Sequence, residues 1–180
     1  MFKDFDISSF KDMKPPSDNS FDTSQEIKEL KKIPINKKFV KYNDDIEKVF
    51  KDKAKKLNIK DYDNKLVNKL LKESVPVILK LKKHFNRPRP SVIAKKMNID
   101  LKPVYLGSAQ TPSYPSGHAT QAFLIAEVLS DKYPKHAKAF NKTAENISKS
   151  RLIAKVHHRS DSKIGEKLGK KMYNFIKNKI

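Results

Sequence analysis

The sequence predicts an all-α fold, a single-domain helical bundle of 180 residues. Two observations carry that prediction. Apolar residues recur at intervals of three and four in several separate stretches, as the buried stripe of a helix requires. Prolines and polar clusters fall between those stretches, and no two segments alternate in a way that would pair as strands.

The elements follow in order. Residues 1–22, with Pro15-Pro16 and no sustained period, read as an extended N-terminal arm, leaving 23–180 as the helical domain. Thr23-Ser24-Gln25-Glu26 has capping-box spacing, and Ile27, Leu30 and Ile33 follow on one face. Asp44 or Asp45 caps a second helix carrying Ile46, Val49 and Phe50. A longer helix spans 63–86, with Leu66, Val67, Leu70, Leu71, Val75, Val77, Ile78, Leu79 and Leu81 as its apolar set. Pro76 is expected to kink it and Arg87-Pro88-Arg89-Pro90 to end it, because each residue before proline prefers extended backbone. A short helix at 91–97 precedes a loop over 99–115. A buried helix follows from Ser116 to about Tyr133, then one opened by Pro134, then a last one from Ser160 with Ile164, Leu168, Met172, Phe175 and Ile176 as its stripe. Gly165 and Gly169, four apart, imply close packing of that last helix on a neighbour.

Composition limits the chemistry. The net charge of +20 attracts anionic substrates and polyanions. With no cysteine, thiol nucleophiles, thiolate metal sites and disulfides are excluded. No apolar run is long enough to span a bilayer, and the acidic start Met1 to Asp6 does not resemble a secretory signal. The expectation is a soluble protein, cytoplasmic, or periplasmic or secreted after removal of a signal. Of 40 basic residues only Arg87, Arg89, Arg151 and Arg159 are arginine. Arginine's rigid fork suits bidentate binding of phosphate better than lysine's mobile point charge. Arg87 and Arg159, taken singly, are attributable to chance.

Three clusters carry the candidate chemistry. Lys82 and Arg89-Pro90 place an ammonium and a guanidinium on adjacent backbone at the end of the long helix. Lys80 and Arg87-Pro88 share that spacing, so the pair alone says little. Ser113-Tyr114-Pro115-Ser116-Gly117-His118 opens the buried helix, whose free amides favour an anion. Gly117 admits a ligand close to backbone, and Ser116 adds a hydroxyl; an ordinary N-cap accounts for the same residues. Ser150-Arg151, His157 and Asp161 form the third. On one continuous helix Arg151 and His157 would lie about 240° apart, so a break near His157-His158 is needed to bring them together. The spacing of four lets Asp161 hold one imidazole nitrogen and leave the other free. A surface His-Asp pair explains it equally well in isolation.

In this order the clusters resemble the signature of the type 2 phosphatidic acid phosphatase superfamily: Lys, six residues, Arg-Pro; Pro-Ser-Gly-His; Ser-Arg, five residues, His, three residues, Asp. That group takes in class A bacterial nonspecific acid phosphatases, lipid phosphate phosphatases and vanadium-dependent haloperoxidases. The resemblance covers roughly residues 75–170. It implies a metal-independent phosphomonoesterase in which His157 forms a phosphohistidine, Asp161 holds its ring and His118 serves as general acid and then base. Lys82, Arg89, Arg151, Ser116 and Gly117 would bind the phosphoryl oxygens. It implies no cofactor, although vanadate or phosphate can occupy such a site. His158 and Arg159 fit rim or supporting positions, and His84 and His136 plain surface. Ser91 stands where many acid phosphatases carry an aromatic, which leaves the substrate pocket open.

The implied partner is a small phosphorylated substrate. The alternatives are a lipid phosphate phosphatase docking on anionic membrane without insertion, a vanadium haloperoxidase, and a basic nucleic-acid-binding protein. The last is disfavoured by the wide spread of the lysines and allows nonspecific binding only. Substrate identity and homo-oligomer formation are not encoded in any motif of the chain.

Overall fold

The computed structural model describes residues 1–180 and is helical throughout, with no strand. Nine α-helices follow in order: α1 Ser8–Lys11, α2 Phe21–Lys32, α3 Lys37–Asp44, α4 Ile46–Lys56, α5 Asn64–Phe85, α6 Pro90–Lys96, α7 Gly117–Lys132, α8 Ala137–Ile153 and α9 Arg159–Ile176. Helix α7 is the central post. It buries Ala119, Ala122, Phe123, Leu124, Ile125, Ala126, Val128 and Leu129, and packs most extensively on α8 and α9. A helix apolar on every side has no solvent face to offer, which is why it sits in the middle. Around it one large core gathers Phe50, Leu70, Leu81, Phe140, Ile147, Leu168 and Met172.

The glycines of α9 set how closely it meets α7. A Cβ on Gly165 would lie 2.7 Å from the Ser116 carbonyl oxygen, and one on Gly169 would run into that of Thr120. Both neighbours are backbone and cannot yield. The small-residue spacing therefore brings α9, with Asp161 in its first turn, against the start of α7.

Chain reversals depend on asparagine and lysine rather than glycine. Asn58, Asn86, Asn98 and Lys155 all have positive φ just past helix ends. After α8, the Lys155 amide donates to the Leu152 carbonyl and the Val156 amide to that of Arg151, a Schellman closure. The Lys155 ammonium then caps α2 through the Leu30 and Lys31 carbonyls. This is the break that Arg151 and His157 require.

Several expectations are corrected. Ser20, not Thr23, caps α2: its Oγ accepts the Thr23 amide at 3.1 Å. Glu26 is thereby free for a different task. Asp45 caps α4 through the Lys48 amide, leaving Asp44 uncommitted to a cap. Helix α5 runs unbroken from Asn64 to Phe85 with Pro76 inside it, on its exposed face. Pro134 opens a single 3₁₀ turn, and α8 begins after it at Ala137. The segment read as an extended arm contains α1 and lies on the bundle, with Phe2 and Phe10 in the main core.

Candidate active site

The three clusters come from the end of α5, the start of α7 and the α8–α9 junction. Backbone bonds join them directly. The Ser116 amide donates to the Asp161 carbonyl at 3.0 Å, and the Ser113 amide to the Arg87 carbonyl at 2.9 Å. The site is thus a junction of three helix ends rather than a cleft between rigid bodies.

His157 is buried between those ends. Its Nδ1 lies 3.1 Å from Asp161 Oδ2 and its Nε2 lies 3.0 Å from Arg89 Nη1. A guanidinium has no lone pair to offer, so it donates and Nε2 accepts. Nδ1 is then the protonated nitrogen and donates to Asp161. Burial pushes the His157 pKa down to about 3, and Arg89 and Lys82 add to that, against the pull of Asp161. His157 is accordingly neutral, with Nε2 unprotonated and its lone pair accepting from Arg89.

Asp161 has no exposed surface. Besides His157, its Oδ2 accepts the His158 amide at 2.8 Å, the N-terminal bond of α9, and its Oδ1 accepts Arg87 Nη1 at 2.7 Å. Burial acts to raise its pKa, but His157, His158 and Arg87 outweigh this and hold the carboxyl well below the usual range. Arg87 also reaches Ser160 Oγ and Glu26 Oε2. Glu26 in turn accepts the Ser160 amide at 2.6 Å. Arg87, attributed to chance from sequence, is a buried bridge between two carboxylates. Its signal was present: one of four arginines, inside Arg-Pro-Arg-Pro. His158 is fully buried, bonded to the Pro88 carbonyl, so it supports the site from beneath and is no rim residue. Arg159 is exposed and pairs with Glu29. His84 is exposed and His136 half-buried, away from these residues.

The cations converge with little to neutralise them. Lys82 is buried and donates to the Pro112 carbonyl. Burial and the Arg89 charge lower its pKa to about 7. Arg89 donates to the Thr111 and Val156 carbonyls, while its Nη2 is buried without any partner. Burial lowers its pKa to about 10. A buried unpaired guanidinium nitrogen is costly and calls for an acceptor. Ser116 is the N-cap of α7, accepting the Ala119 amide at 3.3 Å, which leaves its hydroxyl proton uncommitted. The Gly117 and His118 amides donate to nothing in the protein. A Cβ on Gly117 would stand 4.0 Å from Lys82 Cε, which places this helix start beside the cation pair.

Arg151 is buried and donates Nη1 to Asp44 Oδ1 at 2.7 Å. The same Asp44 receives His118 Nε2 at its carbonyl (2.9 Å) and at Oδ1 (3.2 Å). Asp44 is a residue that sequence reasoning missed. The adjacent Asp44-Asp45 pair offered one carboxylate more than a cap needs.

Lys82, Arg89, Ser116, Gly117, His157 and Asp161 thus come from helix ends that meet at one junction, while His118 and Arg151 are tied to each other through Asp44, with the Arg151 charge felt at Arg89. A family model described as the PAP2 superfamily matches residues 66–170, and the chain belongs to that superfamily. Among solved structures, it is similar to a crystal structure described as the first transmembrane PAP2-type phosphatidylglycerolphosphate phosphatase from Bacillus subtilis. That match has a TM-score of 0.62 and 20% identity, covering 99% of this chain and 96% of the other. No curated protein matches the chain. In contrast to that neighbour's description, no helix here is long and apolar enough to cross a membrane.

Proposed function

We propose that this PAP2 protein is a phosphomonoesterase that works through a phosphohistidine at His157 Nε2. One observation carries the reading: a buried, neutral histidine has Nδ1 tied to a buried carboxylate and its unprotonated Nε2 hydrogen-bonded to a guanidinium that holds a second, unpaired nitrogen, so phosphoryl oxygens that draw the guanidinium to themselves would release Nε2 to attack. Only a nucleophile beside an anion site makes use of both features.

The steps follow from the groups in place. Arg89, Lys82, Arg151, the Ser116 hydroxyl and the α7 amides take the phosphoryl oxygens. Nε2 attacks phosphorus as the ester P–O bond breaks, and His118 gives the leaving oxygen its proton. His118 then removes a proton from water, which attacks phosphorus; the P–N bond breaks and Nε2 regains its lone pair. The buried cations supply positive charge at the equatorial oxygens that a metal supplies in other phosphatases.

Small phosphate esters are the substrate this reading favours. A lipid phosphate is the second reading, supported by a groove of about 340 Å³ beside Arg89 whose lining includes Val92, Val104, Tyr105 and Leu106. Parallel assays on glycerol phosphate and dispersed phosphatidate separate the two. Family membership favours either over the nucleic-acid-binding alternative.

His157→Ala is expected to abolish phosphate release from p-nitrophenyl phosphate, while EDTA leaves wild-type turnover unchanged. Turnover surviving in His157→Ala, or lost to EDTA, overturns the mechanism.

A further inference from the structure

Asp161 is not the only carboxylate set against a site histidine. Asp44, the last residue of α3, lies far from the motif-bearing segments and belongs to none of the three clusters. Its Oδ1 is shared by His118 Nε2 at 3.2 Å, Arg151 Nη1 at 2.7 Å and Ser108 Oγ at 3.1 Å. Its backbone carbonyl takes His118 Nε2 as well, at 2.9 Å. Two acceptors on one ring nitrogen require that nitrogen to carry the proton. His118 Nδ1 has no partner in the protein.

We infer that Asp44 is the positioning residue of His118, fixing Nε2–H and leaving Nδ1 as the atom that exchanges the proton with the leaving oxygen and then with water. This rests on the phosphatase reading and extends it. The two histidines then form opposed dyads. His157 is held at Nδ1 by Asp161 and works at Nε2; His118 is held at Nε2 by Asp44 and works at Nδ1. When Nδ1 is protonated, the ring is an imidazolium and Asp44 offsets its charge. When Nδ1 has given its proton up, the same hydrogen bonds keep Nδ1 bare for the water. The Asp44 carboxyl lies well below the usual range, because His118, and then Arg151, hydrogen-bond to it, so it is anionic in both steps.

The same carboxylate also links the proton donor to the phosphate clamp. Arg151 is buried and gives Asp44 its Nη1, while its Nε bonds Ser150 Oγ at 3.0 Å. Ser108 brings in the loop between α6 and α7. Asp44 therefore sets the separation between the group that holds phosphate and the group that protonates what leaves it.

The test separates those two duties by leaving group. Asp44→Asn removes the charge at nearly constant shape, and kcat/KM is measured for p-nitrophenyl phosphate and for glycerol phosphate. Nitrophenolate departs without a proton, whereas glycerol's alkoxide requires one, so an effect through His118 falls on glycerol phosphate. Loss of the Arg151 contact falls on both substrates equally and cancels in their ratio. The ratio of glycerol phosphate to nitrophenyl phosphate kcat/KM is expected to fall by about tenfold or more, a part of the ~10²–10⁴-fold that a positioned acid contributes. In a His118→Ala background the same substitution is expected to leave the ratio unchanged. An equal loss on both substrates, or none, overturns the inference.

A second measurement needs no variant. Long-range ¹H–¹⁵N spectra of the wild-type protein with labelled histidine should show neutral His118 as the Nε2–H tautomer, and an Nδ1–H tautomer overturns the inference. Absence of wild-type turnover on either ester would instead sink the phosphatase reading, with the tautomer still reporting on Asp44.

Discussion

Removing Arg87 is expected to damage the protein more than removing any other group outside direct reach of the phosphate. Its side chain is 1% exposed and lies between Asp161 (0%) and Glu26 (13%). In Arg87→Leu, Asp161 keeps two donors, His157 and the His158 amide, but both serve Oδ2. Oδ1 loses its only donor, and a carboxylate buried from water loses its neighbouring cation. Breaking a buried pair from one side costs about 3–5 kcal/mol, and the surviving donors place this case near the lower figure. Urea denaturation at pH 7 should therefore show about 3 kcal/mol of lost stability, again on the scale of buried pairs broken from one side. The pH dependence supplies an independent check. A carboxyl whose folded pKa is depressed contributes stability above its unfolded pKa and loses it as pH falls through the folded value. Arg87 is one cause of that depression in Asp161. The gap between wild type and Arg87→Leu should then be full at neutral pH and shrink as pH falls below about 4, where unfolded carboxyls protonate. With His157 less firmly aimed, kcat/KM should fall by up to about 10²-fold, the scale of a misplaced catalytic group. Arg87→Lys should recover only part, because a point charge cannot bridge both carboxylates. A stability loss under about 1 kcal/mol, the value of an exposed pair, or a gap that does not close in acid, refutes the assignment.

Two further expectations follow from the site and its packing. Lys82 is half-charged near pH 7, so affinity for sulfate, an anion of fixed charge, should weaken about tenfold between pH 6 and pH 8 by proton linkage; calorimetry should show this in wild type and a flat profile in Lys82→Met, and a flat wild-type profile would contradict the assignment. Gly169→Ala sets a Cβ against the Thr120 carbonyl and 2.9 Å from Leu124 N, so it should cost about 1–3 kcal/mol by overpacking, read by thermal or urea unfolding; a neutral or stabilising outcome would mean α9 has room to withdraw.

What the sequence reveals of this fold is what lies close along the chain. The apolar stripes of α5, α7 and α9 and the break near His157-His158 are periodic or local, and each is set by a few neighbouring residues. His157 and Asp161 are four apart, and the turn that unites them is the start of α9. The residues that sequence reasoning missed are joined across long separations. Arg87 meets Asp161 across 74 positions and Glu26 across 61, and Asp44 meets Arg151 across 107. No periodicity links such partners, so each looked like a surface charge or a spare cap. The Thr23 error has the same origin. The capping-box pattern fitted, but Ser20 stood one turn earlier, and Glu26 was drawn away to Arg87 and Ser160. Asn58 and Asn98 are the exception. Each is followed by an isoleucine, Asn58-Ile59 and Asn98-Ile99, whose amide closes the helix by bonding back to Ala54 and Ala94. In a chain with four glycines that pattern was readable as a helix end.

The charges of the site explain one another. Lys82 and Arg89 would repel in an empty pocket, and burial strengthens that repulsion. Part of it is relieved by the lowered pKa of Lys82, which lets that group give up its charge near pH 7, and part is turned on His157, which both cations help keep neutral. Asp161 would undo this if it were free to draw a proton onto the ring. It is not free, because Arg87 and the His158 amide already share its charge. The hydrogen bond from His157 Nδ1 then aims the ring without protonating Nε2. In the proposed mechanism a phosphoryl dianion would reverse the balance, returning Lys82 to its charged form and giving Arg89 Nη2 the acceptor it lacks. Under that proposal Nε2 is thus kept unprotonated by the cations that would attract the phosphoryl group, and Arg87 is the counter-charge that lets a carboxylate steer the ring without protonating it.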